Sequence, residues 1–85
     1  MGDEKRIREL YEKALRKSSS LKFREARALA EGVGFRLDRT RGSHHIFFIH
    51  DSSKILLNLQ NVKGQAKPYQ VRQLVTLIQE HNLLP

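Results

Sequence analysis

Apolar residues in the first third of the chain recur with the period of an α-helix. A stripe at intervals of three and four residues is followed by a polar break, SSS at 18–20, and then by a second stripe between Phe23 and Glu31. Gly32 is expected to end this second helix in the left-handed conformation that glycine tolerates. The first stripe comprises Ile7, Leu10, Tyr11, Ala14 and Leu15.

The middle of the chain changes to a period of two, which is typical of strands. Phe35 and Leu37 alternate with Arg36 and Asp38, and the runs IFFIH and KILLNLQ follow as two more strands. NVKGQAK is expected to be a loop. Pro68 then favours the first turn of a last helix, whose apolar stripe is Val71, Leu74, Val75 and Ile78.

This order predicts one α+β domain, residues 1–85, with a three-stranded antiparallel sheet covered on one face by helices. IFFI is apolar on both faces of its strand. The second sheet face is therefore either closed by the N-terminal helix or is an interaction surface, and either feature offers a route to an oligomer.

The charge of the chain narrows the partner classes. Sixteen Lys and Arg against nine Asp and Glu give +7, and twelve of the basic residues fall in the first 42 positions. Such a field attracts polyanions, RNA above all, although a solvated basic surface explains it equally well. The absence of cysteine excludes disulfides and thiolate metal sites. Without a long apolar run or a signal-like start, we expect a cytoplasmic protein and no membrane partner.

The segment RTRGSHHIFFIH, residues 39–50, carries the candidate chemistry. His44 and His45 are neighbours on a strand and point to opposite faces, so we expect no metal site and no other cofactor. The pair is either ordinary turn sequence or catalytic. A neutral imidazole can take the proton from the 2′-hydroxyl of RNA, and cationic side chains can stabilise the charged transition state. The candidate cations are Arg39, Arg41, Lys63 and Lys67.

GSHHIF, followed by ILLNLQ and AKPYQVRQL at this spacing, resembles the HicA family of toxin–antitoxin mRNA interferases. The similarity covers about residues 18–84. It implies a double-stranded-RNA-binding-domain-like α-β-β-β-α fold for residues 18–85, with residues 1–17 as an additional N-terminal helix. It also implies metal-independent cleavage of mRNA and neutralisation by a HicB-type antitoxin protein that covers the active site.

The resemblance also assigns site residues. It implies that the histidine directly after Gly-Ser, His44, is catalytic and that Gly42 and Ser43 form the turn that presents it. His45 is an auxiliary group or a structural neighbour. Many short members carry a Pro-x-His segment after the third strand; this chain has NLQNVKGQAKPYQ there, so no second histidine is carried over. Tyr69 either stacks on an RNA base or packs on the sheet.

Two function classes follow: an endoribonuclease with His44 as general base, and a non-catalytic RNA-binding or protein-interaction module. The glutamines at 60, 70 and 73 either read RNA edges or hold a loop. His50 is expected at the surface, and His81 is expected to complement the end of the last helix. The predicted RNA contacts are Arg39, Arg41, Gly42, Ser43, Lys63, Lys67 and Tyr69.

Overall fold

A computed structural model of the protein describes residues 2–41, 45–50, 52 and 54–85. Its described part is an α+β arrangement, as the hydrophobic pattern predicts. None of the described helices is both long enough and apolar enough to cross a lipid bilayer. The elements are α1 (Gly2–Arg16), a 3-10 turn (Ser18–Ser20), α2 (Phe23–Gly32), β1 (Phe35–Arg41), β2 (His45–His50), β3 (Leu56–Val62), β4 (Gln65–Ala66) and α3 (Pro68–His81).

The sheet has the strand order β1-β2-β3-β4, and every described pair is antiparallel. The three predicted strands are present, but the prediction of a loop over NVKGQAK, and hence of a sheet with only three strands, is wrong. Lys63 and Gly64 both have positive φ, 52° and 85°, and a two-residue hairpin turn of this kind favours such angles. It folds Gln65 back to pair with Val62. A strand of two residues is too short to show a period in the sequence.

The core lies between the sheet and the helices. Phe48, Leu57 and Leu59 are fully buried on the inner face of β2 and β3, where α2 and α3 cover the sheet. Burying a side chain of this size stabilises the fold by about 1.5–3 kcal/mol. The predicted stripe of α3 is confirmed, because Val71, Leu74, Val75 and Ile78 are all buried.

Helix α1 extends the layer of helices, contacting α2, α3 and the 3-10 turn. Ile7, Leu10 and Ala14 are buried in these contacts, whereas Leu15, predicted as part of the same stripe, is 49% exposed. Because these contacts are with the other helices, the packing of α1 does not support the prediction that it closes the second face of the sheet. The helix instead completes the core from the far side of α2 and α3.

The transition from α2 to β1 corrects the prediction for Gly32. Helix α2 includes Gly32, and it is Gly34, with φ of +107°, that takes the left-handed conformation. Gly32 serves a different purpose, since a Cβ at this position would collide with the side chain of Ile7. The missing side chain lets α1 approach α2 closely.

Candidate functional site

A β-bulge in β1 determines which way its arginines face. Leu37 pairs with Phe48 and Arg39 pairs with Phe47, so Asp38 is an extra residue with no partner in β2. Because side chains alternate along a strand, the extra residue moves everything after it to the opposite face. Arg36, Arg39 and Arg41 consequently share the outer face of the sheet, away from the helices, and all three are exposed.

The regular alternation expected from the sequence would have placed Arg39 and Arg41 with Phe35 and Leu37. Phe35 is buried as predicted, but Leu37 is 43% exposed even though it pairs with the fully buried Phe48. It lies on an edge strand, where the layer of helices gives less cover. On the outer face, Leu56 of β3 is 51% exposed, so this face is both basic and partly apolar.

At one end of the sheet, Arg41, His45 and Gln60 form a row across three strands. Arg41 pairs with His45, and His45 pairs with Gln60. Neighbouring strands lie about 4.8 Å apart, so the backbones of Arg41 and Gln60 are about 10 Å apart. The predicted catalytic His44, with Gly42 and Ser43, belongs to the connection between β1 and β2 and lies outside the described residues.

Two glutamines join this end of β3 to the start of α3. The backbone N–H of Gln60 donates to Gln70 Oε1 at 2.7 Å, and Gln70 Nε2 donates to Gln60 Oε1 at 3.0 Å. Strand β4 pairs with Asn61 and Val62 and does not extend as far as Gln60, whose strand partner is His45 on the opposite side, in β2. The Gln70 side chain, only 1% exposed, binds the Gln60 backbone on the side where β4 ends. Gln60 and Gln70 therefore hold the structure together, whereas Gln73 is exposed.

Tyr69 stands beside this amide pair at the surface. Its hydroxyl accepts from Gln70 Nε2 at 3.3 Å and lies 3.5 Å from Gln60 Oε1. Its ring is not packed into the sheet, since the residue is 53% exposed. The ammonium of Lys67 lies 5.8 Å from the centre of the ring, within the range of a cation–π interaction. Lys63 is exposed in the turn between β3 and β4.

His50 is buried, contrary to the prediction that it lies at the surface. It is 7% exposed, and its ring meets Phe35 edge to face at 5.1 Å. The N–H of Ser52 donates to Nδ1 at 3.2 Å, so Nε2 carries the proton and donates to the carbonyl of Val33 at 3.0 Å. His50 is thus a structural group that ties β2 to the turn before β1. His81 lies in the last turn of α3, the position predicted for it, and is exposed.

One residue of the outer face was missed by the sequence analysis. Asn58 lies opposite Phe47 in the register, and its Oδ1 is buried without a hydrogen-bond partner. A polar residue inside the apolar run LLNLQ is the only signal that marks it. Within residues 2–41, 45–50, 52 and 54–85, no three His, Cys, Asp or Glu side chains are grouped to hold a metal ion.

Comparison of the chain with protein-family models, with curated proteins and with solved structures found no match.

Proposed function

We propose that the chain is a metal-independent endoribonuclease of the HicA type, the toxin of a toxin–antitoxin pair acting on mRNA in the cytoplasm. The order α2, β1, β2, β3, α3 supports a double-stranded-RNA-binding-domain-like arrangement for residues 18–85. Helix α1 and the two-residue strand β4 are additions to that arrangement. Folds of this class occur both in proteins that only bind RNA and in enzymes. The proposed activity therefore rests on the residues of the site.

The observation that carries the proposal is the convergence of the motif segments. GSHHIF, ILLNLQ and AKPYQV are separate in the sequence, yet His45 pairs with Gln60, and Gln60 shares two hydrogen bonds with Gln70. Each pair joins one motif to the next at the same end of the sheet. A shared active site requires such a convergence, and the contact between Gln60 and Gln70 brings in α3, which is not a strand neighbour of β2 or β3.

The chemistry assigns a role to each group. His44 takes the proton of a 2′-hydroxyl, the 2′-oxygen bonds to the adjacent phosphorus as the P–O5′ bond breaks, and the departing 5′-oxygen takes a proton from solvent. The products are a 2′,3′-cyclic phosphate and a 5′-hydroxyl. Arg41, which ends β1 directly before the connection that carries His44, and Arg39 on the same face stabilise the additional negative charge on the phosphate.

Cleavage by the His44→Ala variant tests the assignment. Wild type and variant, matched in circular dichroism, are incubated with a long mRNA in EDTA, and the ends of the products are analysed chemically. We expect wild type to leave cyclic phosphate ends and the variant to lose at least 100-fold in rate, the usual contribution of a general base being about 10²–10⁴. His81→Ala is the matched control, because His81 is exposed at the far end of α3. Cleavage at the wild-type rate by His44→Ala would refute the role of this histidine.

A second candidate function is supported by the outer face itself. The bulge gathers Arg36, Arg39 and Arg41 on the same face as the exposed Leu56, a combination suited to binding RNA or a protein without cleavage. In that case RNA binding weakens steeply as the salt concentration rises. Wild type would bind mRNA and leave it intact, and His44→Ala would bind it equally well.

The proposed partner is an acidic HicB-type antitoxin. The net charge of +7 favours association with an acidic protein and makes the rate of that association sensitive to salt. An antitoxin that covers the active site competes with RNA for the same end of the sheet.

A further inference from the structure

Tyr69 combines an anchored hydroxyl with an exposed ring. Gln70 Nε2 has two hydrogens: one is donated to Gln60 Oε1 at 3.0 Å and the other to the Tyr69 hydroxyl at 3.3 Å. Gln70 is 1% exposed, so its second hydrogen would lack a partner without that hydroxyl. Satisfying Gln70 explains why position 69 carries a hydroxyl, but it does not explain why more than half of the aromatic residue faces solvent.

The tether also limits the motion of the ring. A surface tyrosine is ordinarily free to change its χ1 rotamer, and binding a ligand to it then costs the entropy of ordering it. Here the hydroxyl is bound to an amide pair that is itself fixed between β3 and α3. The ring therefore holds its orientation before any ligand arrives.

Given the proposed action on RNA, we propose that the Tyr69 ring is a preformed stacking platform for one unpaired base. Every base has a π face, so a platform of this kind accepts any of the four and requires only that the base is unpaired. The ammonium of Lys67 lies over one face of the ring, 5.8 Å from its centre, so the base takes the opposite face and the lysine charge attracts the phosphate of the stacked nucleotide. The Gln60 side of the platform adjoins the row Arg41–His45–Gln60, so the stacked nucleotide lies next to that row.

Two substitutions separate the ring from the hydroxyl. Tyr69→Phe and Tyr69→Leu both lose the hydrogen bond to Gln70, so any structural cost of that loss is common to both. Only Tyr69→Phe keeps an aromatic face. The difference between the two variants therefore measures stacking alone.

The probe is a set of single-stranded oligonucleotides made of 2′-O-methyl RNA, with 2-aminopurine at each position in turn. They lack the 2′-hydroxyl nucleophile, so binding to the full chain is measured without cleavage. Stacking on an aromatic ring quenches 2-aminopurine fluorescence. We expect quenching at one position with wild type and Tyr69→Phe, no quenching with Tyr69→Leu, and about tenfold weaker binding by Tyr69→Leu than by Tyr69→Phe. Annealed to their complements, the oligonucleotides should not distinguish the two variants.

Equal quenching and equal affinity for Tyr69→Phe and Tyr69→Leu on the single strands would overturn the platform, even if wild type cleaves mRNA. Quenching that depends on the ring would uphold it, even if wild type proves unable to cleave. The experiment can therefore disprove the stacking role of Tyr69 without disproving the nuclease activity, and the reverse also holds.

Discussion

Gly34 and Gly64 have the same backbone requirement in very different surroundings. Both have positive φ, 107° and 85°, but a Cβ on Gly34 would lie 2.6 Å from Nε2 of the buried His50, whereas a Cβ on Gly64 would meet nothing within 4 Å. Comparing substitutions at the two glycines therefore distinguishes two free-energy costs: that of a strained backbone, present at both, and that of a steric collision, present only at Gly34.

We expect Gly64→Ala to lower the free energy of unfolding by about 1 kcal/mol, the cost of a left-handed non-glycine residue. Gly34→Ala should cost about 2–4 kcal/mol, because the methyl group also displaces His50 from its bond to Val33. Urea denaturation of both variants measures the difference. Equal losses would mean that the His50 ring gives way freely and does not hold the turn before β1.

At the scale of elements, Glu25 joins α1 to the start of α2. Its carboxylate accepts the backbone N–H of Lys22 at 3.0 Å and the ammonium of Lys13 at 3.1 Å. The Lys22 hydrogen bond is the main influence that lowers the pKa of Glu25, and with Lys13 it outweighs the partial burial that raises it. The ionised carboxylate is therefore favoured by folding.

The lowered pKa makes this contribution depend on pH with a definite sign. It is complete above the pKa of an unfolded glutamate, about 4.3, and is lost as the pH falls through the lower folded value. We expect Glu25→Gln to be about 1 kcal/mol less stable than wild type at pH 7, and the difference to shrink on acidification below about pH 4.

Thermal unfolding between pH 3 and pH 7 measures the effect of Glu25→Gln, and Glu31→Gln serves as its control. Glu31 has an exposed i,i+4 ion pair with Arg27 at 3.2 Å, and such a pair contributes about 0.5 kcal/mol or less. A difference between Glu25→Gln and wild type that stays constant down to pH 3 would contradict the ionic origin of the effect.

The bulge in β1 is a second feature of this scale, and deletion of Asp38 tests it. Without Asp38, Leu37 still pairs with Phe48 and Arg39 with Phe47, so the register on either side is kept. We expect the variant to fold with a stability change of about 1 kcal/mol or less, since the exposed Asp38–Arg39 contact that is lost contributes little. Backbone NOEs between β1 and β2 report the register.

Deleting Thr40 is the matched control for deleting Asp38. That deletion removes a residue paired with Ile46 and shifts Arg41 toward the face that packs on the helices. Its loss of stability should be clearly larger. If the two deletions are equally damaging, Asp38 is required by the strand and is not an extra residue.

At the scale of the whole molecule, α1 is part of the core and not an appendage. Leu10 is 1% exposed and packs in the same buried cluster as residues of the sheet and of the other helices, whereas Leu15 on the same helix is 49% exposed. We expect Leu10→Ala to cost about 2–5 kcal/mol and Leu15→Ala about 0.5 kcal/mol or less. Guanidinium denaturation measures both, with far-UV and near-UV signals recorded together.

A single coincident transition is expected for each leucine variant, because one core unfolds as one unit. Loss of α1 helicity in Leu10→Ala without loss of the near-UV signal would show instead that residues 1–17 fold separately from the rest. In that case α1 would be an additional element and not part of the common core.

The sequence by itself determined what depends on local periodicity. The i, i+3, i+4 spacing predicted α2 and the stripe of α3, alternation predicted β1, the apolar runs IFFIH and KILLNLQ predicted β2 and β3, and short connections predicted an antiparallel sheet. Pro68 at the start of α3 follows from its fixed φ and its missing N–H. The residues proposed for RNA chemistry also came from the sequence, through motifs rather than through period.

Tertiary structure alone decided which faces and partners those residues have. The bulge at Asp38 puts Arg39 and Arg41 on the outer face, and β4 arises from a turn at Lys63. Gln70 is buried where it accepts the backbone N–H of Gln60, beyond the end of β4. Each of these features depends on hydrogen bonds between segments distant in the chain. The hydrophobic period of a segment indicates only which side of its own helix or strand is buried. It therefore cannot predict hydrogen bonds to other segments.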